Sequence, residues 1–335
     1  MSETVNQINK KSNSLISIII PSYNKATYIS QTLDSLIHQS YDKWEAIIVD
    51  DGSTDQSIDI IKRHCNQDKR FKLFERNRLP KGGSTCRNIG LENTRGDYTI
   101  FLDADDVLTP NCLSNRLTYF NRYPEHDFLV FSGGTFYTKI GDSSSQWIPN
   151  PAANHLKLFI SHCLPWQTSA PIWKPSFLKH LNGFNEAYPR LQDVEIHTRA
   201  LLQANVKYKV IGGIPDFYYR IDENRKLKAP FQFVETFINA VELYTSNMRQ
   251  IIEERDDKTL LLKALNGTYQ SAYLTAQAQY DMGNISEEER NQLFDRIIAF
   301  HQPKTLFKWY ILGLKKGIHQ LKGYNRLSKK LMAGV

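Results

Sequence analysis

From residue 15 onward, short apolar runs alternate with longer stretches in which apolar residues recur every three or four positions. That is the pattern of strands alternating with helices. The runs at 15–20, 44–49, 71–74, 98–102, 128–131, 207–211 and 217–221 predict strands, and Ile47-Ile48-Val49 is β-branched as suits a buried one. The periodic stretches at 26–38, 84–93, 175–181 and 194–204 predict helices. A further helix running to about Cys65 would be capped by Ser53 or Thr54. Together they imply an α/β domain on a mostly parallel sheet. After Asn224 the pattern becomes three long helical stretches, at 231–254, 258–280 and 286–300, entered through a linker at 225–230. The expected organisation is a loose polar leader at 1–14, an α/β domain at 15–224 and a helical region at 225–335.

Composition changes this picture little. With 335 residues, 41% hydrophobic and 23% charged, the chain can bury a sizeable core, which excludes disordered and disulfide-stapled classes. No apolar run approaches the roughly 20 residues that cross a bilayer. Cys65, Cys86, Cys112 and Cys163 match no zinc or redox spacing and are expected to be reduced and buried, which favours the cytoplasm and makes the sequon at Asn266 a chance match.

Charge adds more. Eight Lys/Arg and no acid lie in 297–335; against a net charge of +7 they leave −1 for everything before them. In the tail, about 303–335, Phe307, Trp309, Tyr310, Ile311 and Leu312 are interleaved with Lys308, Lys315 and Lys316. Two readings stay open: an interfacial helix meeting an anionic membrane surface, or a helix docked on its own domain with solvated lysines. Nucleic acid is not expected, because bulky aliphatics outnumber the basic residues.

Ligands of open α/β sheets bind beyond the carboxyl ends of strands. The first strand ends in Pro21-Ser22-Tyr23-Asn24, the second in Asp50-Asp51-Gly52-Ser53-Thr54-Asp55, and the fourth in Asp103-Ala104-Asp105-Asp106. Carboxylates crowded at neighbouring strand ends call for a cation or hydrogen-bond donors, and a divalent metal with a ribose would supply both. A lone Asp-x-Asp could equally be an acidic turn with Asp106 capping a helix. Lys81-Gly82-Gly83-Ser84 precedes a helix and permits close backbone approach to a ligand; Arg87 and Asn88 just beyond it would border that ligand or brace the acidic loops.

In order, Ile18-Ile19-Ile20-Pro21-Ser22-Tyr23-Asn24, Ile48-Val49-Asp50-Asp51-Gly52-Ser53-Thr54-Asp55, Cys86-Arg87-Asn88-Ile89-Gly90, Gly96-Asp97-Tyr98 and Phe101-Leu102-Asp103-Ala104-Asp105-Asp106 resemble the successive motifs of glycosyltransferase family 2. The resemblance covers about residues 15–220. It implies the GT-A fold, a Rossmann-like, mostly parallel sheet flanked by helices, here followed by an α-helical C-terminal extension. It also implies an inverting enzyme that takes a sugar from a nucleoside diphosphate sugar, UDP-linked being the expected donor, with Mn²⁺ or Mg²⁺. The acceptor would be a glycan or a lipid-linked molecule, in synthesis of bacterial-type surface polysaccharide or glycolipid at the inner face of the cell membrane. Carried over by residue, Tyr23 stacks on the base, Pro21 lines that pocket and Asp51 hydrogen-bonds the base edge. Asp103 sits near the ribose or donor sugar, Arg87 borders the nucleotide, Asp105 ligates the metal, and Asp193 is the base. The family's Glu-Asp pair is Gln192-Asp193 here, with Glu186 and Glu195 as nearby carboxylates. Trp166 and Gln167 are the expected floor of an acceptor site.

Other classes fit less well. A dehydrogenase would need a Gly-rich turn after the first strand, and a nucleotidyltransferase a Gly/Arg/Lys-rich loop there. A non-catalytic nucleotide-sugar-binding or membrane-scaffold protein is the alternative that Gln192 leaves open.

Overall fold

The computed structural model describes residues 13–222, 229–303 and 305–317; most of the leader, of the linker and of the distal tail lie outside them. The first strand, β1 (Ile16–Ser22), carries Ile16, Ile18, Ile19 and Ile20, all fully buried. After it come α1 (Ile29–Ile37), β2 (Trp44–Asp50), α2 (Ser57–Gln67), β3 (Phe71–Glu75), α3 (Gly83–Glu92) and β4 (Tyr98–Phe101). The chain continues through β5 (Val107–Leu108), α4 (Cys112–Arg122), β6 (Phe128–Val130), β7 (Gly133–Phe136), β8 (Gln146–Trp147), α5 (His155–Ile160), β9 (Pro171–Trp173) and α6 (Pro175–His180). It ends with α7 (Gln192–Leu201), β10 (Tyr208–Val210), β11 (Phe217–Arg220) and the helices α8 (Pro230–Glu253), α9 (Lys258–Asp281), α10 (Glu287–His301) and α11 (Thr305–Lys315).

Seven strands form one sheet in the order β10-β6-β9-β4-β1-β2-β3. All its pairings are parallel except those of β9, which runs antiparallel to both β4 and β6. The GT-A fold read from the sequence is the fold observed. The inserted β9 was not legible because three residues carry no periodicity; Trp173 holds it by packing on Phe128, ring centroids 4.3 Å apart. A smaller sheet, β5-β11-β7-β8, forms from short strands of which only β11 was expected. The buried Arg116 in α4 pairs with Asp216 through two hydrogen bonds of 2.8 and 2.7 Å, so this acid is structural.

Two motif residues serve the sheet rather than a ligand. Asp97 accepts from the Leu15 amide at 2.9 Å, clamping β4 onto the start of β1. Gly96 must be glycine because a Cβ would lie 2.7 Å from the Ser17 backbone nitrogen and 2.8 Å from the Leu15 carbonyl oxygen.

Over the described residues the chain divides into two compact units. The first holds everything up to Ala152, then Trp166–Glu186 and Gln203 to 222, and contains both sheets. The second holds Ala153–Pro165, Ala187–Leu202 and the residues from 229 onward. The segments bearing α5 and α7 therefore pack with α8–α11, although they precede residue 225. The Ile160 carbonyl accepts from Thr268 Oγ1 at 2.7 Å, and Tyr244 Oη lies 2.8 Å from Thr198 Oγ1. Thr268 is the third residue of the sequon and lies buried inside α9. Of the cysteines, Cys86 and Cys112 are buried, but Cys163 is exposed because it follows the end of α5, correcting the expectation for that residue.

Helix α11 docks on this second unit. Phe307, Tyr310, Ile311 and Leu314 are buried, and Gln270 donates to Tyr310 Oη at 2.8 Å. At roughly 1.5–3 kcal/mol per buried side chain, this packing outweighs the few tenths per residue of helix propensity and is what forms the helix. The opposite face leaves Trp309 66% exposed beside Leu312, Lys308 and Lys316. No helix of the described residues is long and apolar enough to cross a membrane.

Candidate active site

Strand order β3-β2-β1-β4 reverses between β1 and β4, and a crevice for ligand opens beyond the carboxyl ends at such a reversal. Register pairs Ser22 with Asp50 and Ile19 with Phe101, so the three motif-bearing loops leave the sheet side by side. Part of their polar content is spent on holding them in place. Asp50 accepts from the amides of Gly52 and Ser53 at 2.8 and 2.7 Å and from Ser53 Oγ at 2.5 Å, folding the turn after β2. Asn24 ties the two loops together, donating its amide to Ser53 Oγ and accepting from the Thr54 amide at 2.8 Å. Asp55 accepts from the Ser57 amide at 2.9 Å and the Ala26 amide at 3.0 Å. The N-cap of α2 is Gln56, which makes no side-chain cap; Asp55 just before it, not Ser53 or Thr54, meets the first helical amide, because Ser53 is engaged by Asp50 and Asn24. Burial opposes the charge on Asp55, but the hydrogen bonds from Ser57 and Ala26 outweigh it and hold the carboxyl below its ordinary range.

Asp51, Asp103 and Asp105 remain, and each meets a cation of the chain itself. Arg76 donates to Asp51 at 2.5 Å, and the Gly82 amide approaches the same oxygen at 3.3 Å. Arg87 donates to Asp103 at 2.6 Å, and Lys25 to Asp105. Lys81 covers the ring of Tyr23, its Nζ 3.6 Å from the centroid. Four cations of the chain are present, where the sequence offered only Arg87 as a brace for the acidic loops. The mismatch is one of range, since Arg76 is 25 residues from Asp51 and Lys25 is 80 from Asp105. The crowding of carboxylates did signal that cations were needed, but not which ones.

Tyr23 is 43% exposed, presenting a π-face at the end of β1 beside the half-buried Pro21. Asp106 is different: fully buried, it accepts from the Arg220 amide at 3.0 Å, and burial together with the charges of Asp103 and Asp105 raises its pKa well above the ordinary range. It caps no helix; it sits under the loop. Cys86 is equally inert, since burial and the neighbouring Asp51 push its thiol up to about 12.

Hard divalent cations take oxygen ligands, commonly one or two protein carboxylates with the rest supplied by phosphates and water. Asp105, with Asp103 two positions away, fits that donor set. Among the described residues no group of three His, Cys, Asp or Glu side chains could enclose an ion without such help. Asp105 would hold the cation at the diphosphate, with Lys25 displaced from it.

Asn88 braces rather than faces the crevice. Its amide donates to the Phe184 carbonyl at 2.9 Å and to Glu186 at 2.8 Å, and its oxygen accepts from the Phe184 amide at 2.8 Å. Gly183 is required there twice over, because φ is +64° and a Cβ would collide with the Asn88 side chain. Arg78 joins Glu186 at 3.1 Å. Burial works against the charge on Glu186, but hydrogen bonds from Asn88 and Arg78 hold its carboxyl below the usual range.

In the second unit, Asp193 lies half-buried in the first turn of α7, directly after Gln192. Glu195, one residue beyond Val194, is buried and bound by Arg199 at 2.6 and 2.8 Å. Trp166 and Gln167 are 1% and 6% exposed, and the Trp166 ring packs 6.3 Å from Tyr208. Both are buried, the bulky indole drawn inward in a chain segment that returns to the sheet.

A family model described as Glycosyl transferase family 2 matches residues 17–177. An uncharacterized glycosyltransferase of Haemophilus influenzae is 47% identical over 105 residues, 31% of this chain and 42% of that protein. The putative teichuronic acid biosynthesis glycosyltransferase TuaG of Bacillus subtilis is 40% identical over 107 residues, 31% of this chain and 41% of its own. The matches thus span less than half of either relative. Among solved structures, residues 1–349 of S. aureus TarS in complex with UDP-GlcNAc superpose with a TM-score of 0.63 at 18% identity, covering 96% of this chain and 91% of that one. Residues 17–177 thus form a glycosyltransferase family 2 domain, and the chain shares its GT-A fold with TarS.

Proposed function

We propose that the protein moves a sugar from a UDP-linked donor to a glycan or lipid-linked acceptor, with inversion, in the synthesis of a bacterial-type surface polysaccharide or glycolipid. The observation that carries this reading is Tyr23, exposed at the end of β1, next to a β2 end that presents Asp51. A pyrimidine can stack on the ring once Lys81 moves aside, and its ring N–H can donate to the carboxylate. The UDP-GlcNAc bound by TarS and the teichuronic acid role in the name of TuaG support the donor and product classes. Asp103 and Arg87 would border the ribose and donor sugar. In the reaction, the acceptor oxygen bonds to the anomeric carbon as the bond from that carbon to the diphosphate oxygen breaks. The acceptor proton passes to Asp193, and the electron pair leaves with the diphosphate. Mn²⁺ or Mg²⁺, when bound, would neutralise charge on that leaving group.

A panel of UDP-, GDP- and CDP-sugars, followed by thermal stabilisation and donor hydrolysis with and without Mn²⁺, tests this. UDP-sugars should raise the melting temperature and be hydrolysed; stabilisation by another nucleotide class only would refute the donor assignment.

The exposed stripe of α11 supports peripheral attachment to the inner face of the membrane. Trp309 and Leu312 can enter the headgroup boundary while Lys308 and Lys316 meet anionic lipid, each lysine adding roughly 1 kcal/mol. Ending the chain before α11 would uncover a buried core, so point changes are the cleaner test. Trp309→Glu in the full chain should co-sediment less with anionic vesicles at low salt than wild type does. Equal sedimentation with anionic and neutral vesicles would leave α11 a purely structural helix.

A further inference from the structure

The ion pair between Lys25 and Asp105 joins two fixed backbones through one movable arm. Lys25 is anchored at the entry to α1: its amide donates to Ser57 Oγ at 2.7 Å, and its carbonyl accepts from Tyr28 and Ile29 at 2.9 and 2.8 Å. Asp105 is anchored too, its carbonyl accepting from Arg220 Nε at 2.9 Å while Arg220 also donates to the Tyr137 carbonyl at 3.0 Å. Only the lysine side chain, a compact charge on a flexible stem, can withdraw without moving the loops.

We infer that Lys25 is a positioning residue that makes cation binding at Asp105 conditional on the diphosphate, an inference resting on the reading of Asp105 as the metal ligand. An ammonium and a divalent cation repel each other at one carboxylate oxygen, so the cation must evict Lys25. A cation arriving by itself brings no anion to take up the evicted charge. A nucleoside diphosphate brings several negative oxygens, and Lys25 can transfer to one of them. Asp105 then exchanges one positive partner for another while the lysine keeps an anionic one. Cation and diphosphate are therefore coupled, each raising the other's affinity.

Electron paramagnetic resonance of unbound Mn²⁺ reads this directly, without turnover, on full-length wild type, Lys25→Met, Lys25→Arg and Asp105→Ala, each with and without UDP. Wild type should bind Mn²⁺ weakly by itself and at least about tenfold more tightly with UDP, within the 5- to 150-fold span of ordinary coupling. Lys25→Met should bind Mn²⁺ by itself about tenfold more tightly than wild type and gain less from UDP, whereas Lys25→Arg should behave like wild type. If Lys25→Met binds Mn²⁺ no more tightly than wild type while Asp105→Ala loses the UDP-dependent binding, the inference is wrong and the metal assignment stands. If Asp105→Ala keeps that binding, both are wrong.

Discussion

Asp193→Asn is expected to fold, to bind the nucleoside diphosphate as wild type does, and to transfer sugar about 10²–10⁴-fold more slowly. The amide preserves the shape of the carboxylate in the first turn of α7 and removes its basicity. The two carboxylates nearby in the sequence are already engaged. Glu195 is bound at both oxygens by Arg199, and Glu186 is held by Asn88 and Arg78. Single-turnover transfer with saturating donor separates the chemical step from binding, and calorimetry supplies the binding control. Near-wild-type transfer would remove Asp193 as the base, and a proportional loss of donor affinity would make it a binding residue instead. Glu195→Gln should behave differently, lowering stability through the lost ion pair with Arg199 and leaving the rate per folded molecule closer to wild type.

Asp105→Ala should abolish the effect of Mn²⁺ on nucleoside diphosphate affinity and slow transfer by about 10²-fold or more. A cation on the leaving group contributes several kcal/mol of transition-state charge stabilisation, and each 1.4 kcal/mol is about tenfold in rate. The structure changes what residual binding to expect. Removing Asp105 releases Lys25, whose ammonium can then meet the diphosphate, so metal-independent affinity should persist rather than vanish. Unchanged Mn²⁺ dependence in the variant would mean that the metal, if used, is held elsewhere.

Much of the candidate site could be proposed from the sequence because its signals are local. Pro21, Tyr23, Asp51, Asp103 and Asp105 each sit one to three residues beyond an apolar run, and the end of a buried strand can be read from such a run without knowing its neighbours. The parallel register then had to bring those ends together. What the pattern could not show was the division of labour among adjacent acids. Asp50 and Asp51 are neighbours in sequence and alike in type, yet one folds a turn and the other faces Arg76. Alternation of side chains along the strand sends them to different surroundings, and only the register of β2 says which goes where. The same holds in α11, where apolar and basic residues are mixed in sequence. The packing of Phe307 and Tyr310 against the second unit decided that Trp309 and Leu312 would be the face left outside.

By itself the sequence determined the alternation of strands and helices, the α/β class, the motif order that resembles family 2 glycosyltransferases and the crowding of carboxylates at neighbouring strand ends. All of these follow from residue types within a few positions of one another. The tertiary structure alone decided that β9 enters the sheet antiparallel, that the segments bearing α5 and α7 pack with the C-terminal helices, and that Trp166 and Gln167 lie in the interior. It also decided that Lys25, Arg76, Lys81 and Arg87 stand on the groups a donor would use. Contacts between residues 25 or 80 positions apart depend on strand order and on which face a side chain leaves. Those are set by the free energy of the whole packed sheet, and no local pattern encodes them.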